Sequence, residues 1–299
     1  MQNEGETVVA KTNADFIYPA GQDGQLDEKS WVKGGVLTVT NLRLLLSAGN
    51  ANHGIMLKGL EDVEEKPQGD KSALLLTRYH NGQFVSCAIS APAKTIESLR
   101  RYFIQYLSDS FKTSVYFISP ASKGGVILTT TAWEGGMLLA TQKSIWLISR
   151  DKQVRMGLNS IVQIRRESRK MGGLDRNVLT IDHLDNGESV NSIILCPDST
   201  MDMLEKYLHD LVVKCNSLGE EQKLTEQEGQ IATLIYSGVD SSTIQSMLNI
   251  DNHALDQFYD KLLGIGMAKV ARVRRELELT PKGVKFVTDM MSNVATEKK

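Results

Sequence analysis

The chain has 299 residues, 41% hydrophobic and 23% charged, with a formal net charge of −2. That length suffices for two or three domains with cores of their own, and the near-neutral balance supplies no global field toward nucleic acid or an anionic membrane. No apolar run approaches the ~20 residues of a membrane span, and the polar opening Met1-Gln2-Asn3-Glu4 reads as no secretory signal. Cys87, Cys196 and Cys215 lie far apart, each in or beside an apolar segment. They read as buried thiols of a reducing cytoplasm. Neither Cys/His metal spacing nor a histidine in a ligand context occurs, so no metal or other cofactor is expected.

In chain order, the first elements are short β-rich segments, Gly35 to Val39 and Leu42 to Leu46, bounded by Gly, Asn or Ser. Ala73 to Tyr79 and Phe84 to Ile89 follow, joined by Asn81-Gly82, a hairpin signal. Pro92 then opens a helix whose apolar stripe is Ile96, Leu99, Phe103 and Tyr106. The same series then repeats. Gly135-Gly136-Met137-Leu138 matches Gly34-Gly35-Val36-Leu37 at an offset of 101 (135 − 34), and Ile145 to Ile148 is the next strand. Val178 to His183, Asn186-Gly187 and Val190 to Leu195 form the second hairpin, at an offset of 105 (186 − 81). Pro197 opens the second helix, with Met201, Leu204, Leu208, Leu211 and Cys215 on one stripe. The extra residues are expected in a longer turn around Arg165 to Arg176. Units of this length are tandem domains rather than solenoid repeats. The fold class is α+β: two pleckstrin-homology-like domains, 1–110 and 111–218, each a bent antiparallel sheet of about seven strands closed by a C-terminal helix. Another α+β sandwich is the alternative.

Residues 219–299 change character. Thr225-x-x-Glu228 is a capping box opening a helix with Ile231, Leu234 and Ile235, ended by Gly238. Ser242-x-x-Gln245 opens a second helix, and Asp251 caps a third with Leu255, Phe258 and Leu262. A hairpin over Ala268 to Val273 and Glu276 to Leu279 leads to Thr280-Pro281 and a last helix. Three helices and a wing make a winged helix-turn-helix domain with a helical tail.

A winged helix raises DNA binding, yet the third helix carries Asp251, Asp256 and Asp260 against Lys261, the wrong balance for phosphate. The wing is basic at Lys269, Arg272, Arg274 and Arg275, and the tail offers Phe286, Met290 and Met291. Exposed methionine and phenylalanine adapt to a partner groove; packing within the domain is the alternative. A second basic cluster, Arg165, Arg166, Arg169 and Lys170, is read as a turn. There it could hold a phosphoinositide headgroup, an acidic protein, or only solvent. The first repeat has Glu64-Glu65-Lys66-Pro67 at that place. No phosphate loop or Ser/His/Asp context occurs, so an enzyme is not expected.

The order of these three parts resembles the archaeal taxis protein family CheF. The carriers are Trp31 to Leu44, Trp133-Glu134-Gly135-Gly136 and Leu279-Thr280-Pro281-Lys282-Gly283. The resemblance implies a cytoplasmic, dimeric adaptor at the base of the archaellum. It would bind the phosphorylated response regulator CheY and link it to the motor switch proteins to control rotation direction. On that reading Arg272, Arg274, Arg275, Lys282, Phe286, Met290 and Met291 meet the regulator, and Arg165, Arg166, Arg169 and Lys170 meet the motor. A DNA-binding regulator and a peripheral membrane module are the alternatives.

Overall fold

The computed structural model describes residues 5–21, 26–68, 71–171, 173–216 and 224–264. The chain divides into two compact units, Met1–Ser217 and Leu218–Lys299.

The first unit is mixed α+β and contains both repeats. Repeat one comprises β1 (Val8–Ala20), β2 (Val32–Thr40), β3 (Arg43–Ala48), β4 (Ala51–Met56), β5 (Leu60–Gln68), β6 (Lys71–His80), β7 (Gln83–Ala91) and α1 (Ala93–Ile104). Repeat two comprises β8 (Phe111–Lys123), β9 (Val126–Ile127), β10 (Glu134–Ala140), β11 (Ser144–Ile148), β12 (Gln153–Gly157), β13 (Ile161–Met171), β14 (Leu174–Asp185), β15 (Glu188–Leu195) and α2 (Asp198–Asn216). The sheet orders are β4-β3-β2-β1-β7-β6-β5 and β12-β11-β10-β8-β15-β14-β13, with β9 pairing β8. Position for position these are one topology, and the pairing is antiparallel throughout both sheets.

The repeated signals have local causes. Asn81 and Gly82 take φ of 50° and 83°, and Asn186 and Gly187 take 50° and 81°. Those positive values match the twist of a two-residue hairpin, which Asn-Gly tolerates. The paired glycines have another job. A Cβ on Gly35 would lie 2.6 Å from the Phe16 ring, and one on Gly136 would lie 2.4 Å from the Ile148 carbonyl and 3.0 Å from Phe117. Phe16 and Phe117 are themselves at the repeat offset of 101 (117 − 16). Each glycine is therefore the seat of a buried aromatic contributed by the neighbouring strand. The helices close the cores: Ile96, Leu99 and Phe103 in repeat one, Met201, Leu204 and Leu208 in repeat two.

Two expectations about the first unit are corrected. Arg165 to Lys170 is strand rather than turn. It pairs in register with β14 out to Met171 opposite Leu174. The extra residues lengthen a hairpin, giving 11 and 12 residues in β13 and β14 against 9 and 10 in β5 and β6. Cys87 and Cys196 are buried, but Cys215 is exposed near the end of α2.

The second unit contains α3 (Glu226–Tyr236), α4 (Ser241–Leu248) and α5 (Asn252–Gly264) around Ile231, Ile244, Leu255, Phe258 and Leu262. Thr225 and Glu228 form the expected capping box. The cap of α4 is Asp240, which accepts from the Thr243 amide, so this helix starts one residue before Ser242. The expected wing and last helix fall outside the described residues.

Candidate functional site

The first unit's most developed constellation of charge is the seam between its repeats. Matching positions have diverged there to opposite uses. Glu61 and Asp62 on β5 are each only 5% exposed, whereas their counterparts Val162 and Gln163 on β13 face solvent. The Glu61 carbonyl accepts the Thr141 hydroxyl at 2.6 Å, and its carboxylate accepts the Gln142 amide at 2.9 Å. Asp62 accepts two hydrogen bonds from Arg155 of β12, one from Nε at 2.7 Å, in a bidentate pair. Glu64 lies 3.3 Å from the same guanidinium. Burial works against the Arg155 charge, but Asp62 and Glu64 more than offset it and raise its pKa.

Beside this pair, Arg100 of α1 donates to the Gln153 carbonyl at 3.1 Å and stacks 5.6 Å from the Trp146 ring centroid. Burial pulls the Arg100 pKa down, with Glu65 opposing. Trp146 is fully buried, belongs to the core of the first repeat, and donates its indole N–H to Ser144 at 2.9 Å. Next to the seam opens a cleft of about 930 Å³, with Glu65, Arg100, Lys152, Arg155 and His183 in its lining. Lys152 is tied to Glu134 at 3.2 Å. The cleft's acids and bases largely compensate one another, as befits an internal joint.

The residues expected to meet the motor lie together on β13, and three of them are engaged in ion pairs. Arg165 lies 2.7 Å from Asp182 and 3.4 Å from Glu167. Arg166 reaches α2, at 2.6 Å from Asp202 and 2.8 Å from Glu205. Arg169 lies 2.9 Å from Glu167, and Lys170 is exposed. Hydrogen bonding to Asp182 and to Asp202 raises the Arg165 and Arg166 pKa values respectively. Arg166 and Glu205 occupy the positions of Glu65 and Arg100 in the first repeat (166 − 65 = 101; 205 − 100 = 105), with the charges exchanged. Arg272, Arg274, Arg275, Lys282, Phe286, Met290 and Met291 lie outside the described residues. In the second unit α5 exposes Asp256 and Asp260, and its Lys261 is held 2.7 Å from Glu228.

The seam was not anticipated from sequence. Glu61-Asp62 reads as an ordinary charged pair, and only its position opposite Arg155, 93 residues away, gives it a role.

Two fused copies of one sheet-and-helix unit, followed by a separate helical unit, define the class of protein, and the comparisons give it a family. Residues 8–213 match the family described as archaeal chemotaxis signal transduction system protein F, and the chain belongs to that family. Its role therefore lies in archaeal chemotaxis signalling. Residues 223–292 match a domain family of unknown function. The taxis protein CheF1 of Halobacterium salinarum is 20% identical over 296 residues, covering 97% of this chain and 99% of that protein. Among the described residues no helix is long and apolar enough to cross a membrane.

Proposed function

We propose that the protein is a non-enzymatic adaptor that binds the phosphorylated response regulator CheY and presents it to the archaellum switch proteins. The observation that carries this reading is the similarity to a taxis protein along almost the whole of both chains, 97% and 99%. The two repeats are read as pleckstrin-homology-like domains and the second unit as a winged helix-turn-helix. The chain acts as a homodimer at the cytoplasmic face of the motor.

A receiver domain changes one surface on phosphorylation. An adaptor responds only if it binds the two states with different affinity. The regulator contact is assigned to Arg272, Arg274, Arg275, Lys282, Phe286, Met290 and Met291, whose mixture of basic and apolar side chains suits a partner of that kind. The motor contact is assigned to β13, where Lys170 and the outer edges of Arg165 and Arg169 reach solvent. The acidic exposed face of α5 supports a protein partner over DNA.

Calorimetric titration with purified CheY, with and without beryllofluoride, tests the reading. Binding confined to the activated regulator, weakened by charge reversal at Arg274 and Arg275, is the expected result. Equal binding of both forms, or none, would overturn it.

A further inference from the structure

The two repeats share an opening lined by their matching strands. In the first repeat it is a cavity of about 280 Å³, with Tyr18, Met56, Leu76, Arg78, His80 and Ser86 in its wall. In the second repeat the matching positions Ser119, Gly157, His183 and Asp185 line the seam cleft. The decisive difference is at one position. Arg78 and His183 are equivalent (183 − 78 = 105), and each pairs in register with a valine, Val85 and Val190.

The second opening satisfies its own polar groups. His183 is buried, its Nε2 lies 3.2 Å from the Ser192 hydroxyl, and Ser192 bonds Ser119 at 2.7 Å. Arg78 has no such arrangement. The Arg78 side chain is half-buried: its Nε is buried without a hydrogen-bond partner, and the described residues give its guanidinium no ion pair, so its terminal nitrogens are left to the cavity. It follows Leu74 and Leu76 at two-residue spacing on β6, so it shares their core-facing side. A buried donor left unmade costs free energy, more so on a charged group. The topology does not require a cation here, because the second repeat closes the same position with an imidazole.

We propose that this cavity is a binding site for a carboxylate, with Arg78 as the donor that receives it. A guanidinium offers parallel N–H groups in one plane, which match a carboxylate bidentately. The wall beyond Arg78 is mixed: Ile55, Met56, Leu76 and Val85 offer apolar surface for a short hydrocarbon stem, and Tyr18, His80 and Ser86 offer polar atoms. The volume lies just under the usual range for drug-sized ligands and holds about nine water-sized groups at ~30 Å³ each, enough for a small acid. A free small dicarboxylate or a glutamate side chain of a protein partner both present this chemistry.

The test uses the full chain, titrated separately with glutarate, N-acetyl-glutamate amide and inorganic phosphate, read by calorimetry and by the Arg78 side-chain Nε–H resonance. Saturable binding of a carboxylate is expected, with a shift of that resonance and affinity about tenfold or more weaker in Arg78→Met. Arg78→His, which copies the second repeat, serves as the variant that keeps the fold. Tighter binding of glutarate than of the capped glutamate assigns a free ligand, and the reverse assigns a protein side chain. Binding of phosphate alone, binding unchanged in both variants, or no saturable binding would each overturn the proposal.

Discussion

The two repeats run their strands in the same order, yet equivalent positions do different work. Position 62 is an aspartate buried against Arg155, while its counterpart Gln163 is exposed. Position 146 is a tryptophan inserted in the neighbouring core, while its counterpart Leu45 is only partly covered. The strand-to-helix pair is Arg166 with Glu205 in one copy and Glu65 with Arg100 in the other, and there Arg100 has turned to the seam. The difference separates two kinds of constraint. The glycines under Phe16 and Phe117 stay because the Phe16 ring at Gly35, and the Ile148 carbonyl with the Phe117 ring at Gly136, leave no room for a side chain. Charges and large apolar groups are free to be reassigned, and the reassigned ones mark where each copy meets something else.

The largest test of that contrast is Trp146→Ala, expected to cost about 4 kcal/mol in chemical denaturation, as for a fully buried aromatic. Leu45→Ala should cost clearly less. Asp62→Ala leaves Arg155 with Glu64 in place of its bidentate partner and should cost about 3 kcal/mol, the low end for breaking a buried pair. The double variant Asp62→Leu/Arg155→Met should recover most of that loss. Gln163→Ala should fall within about 0.5 kcal/mol of the parent. If Asp62→Ala and Gln163→Ala behave alike, the contrast between buried and exposed copies fails.

The third prediction concerns pH. Burial lowers the His183 pKa, with Asp185 and Asp182 opposing. The unfolded chain therefore binds the proton more readily than the folded one as pH drops through the ordinary histidine range. This contribution makes the first unit lose stability between neutral pH and pH about 5, and His183→Asn should flatten the slope. The smallest effect is expected for Arg166→Glu, a slight drop in thermal midpoint recovered when Glu205→Arg restores the order of charges found in the first repeat.

Much of the fold was legible because its signals are local. Asn-Gly turns, Pro-led helices and the Thr225–Glu228 box act within a few residues and recur at matched offsets. β1 and β8 escaped notice: Val8–Ala20 mixes Lys, Thr, Asn and Asp among its apolar residues, and its outer half faces solvent, so neither alternation nor an apolar run announces it. Arg165 to Lys170 reads as a turn for a related reason. Charged strand edges look like loops unless the partner strand is known. The seam was illegible because burial of Glu61 and Asp62 depends on a domain whose contacting residues begin some eighty positions later. Arg78 gave no signal at all, since an arginine in a strand is ordinary until its surroundings are seen to lack a partner.

The bidentate hold of Asp62 on Arg155, with Thr141 and Gln142 fastened to Glu61, has one further consequence. Two sheets pinned at several points cannot slide past each other, so the first unit is a ruler. A partner on β13 and a carboxylate beside Arg78, both as proposed above, would be kept at a set spacing by the protein itself. A loosened seam should therefore blur that spacing before it unfolds either sheet.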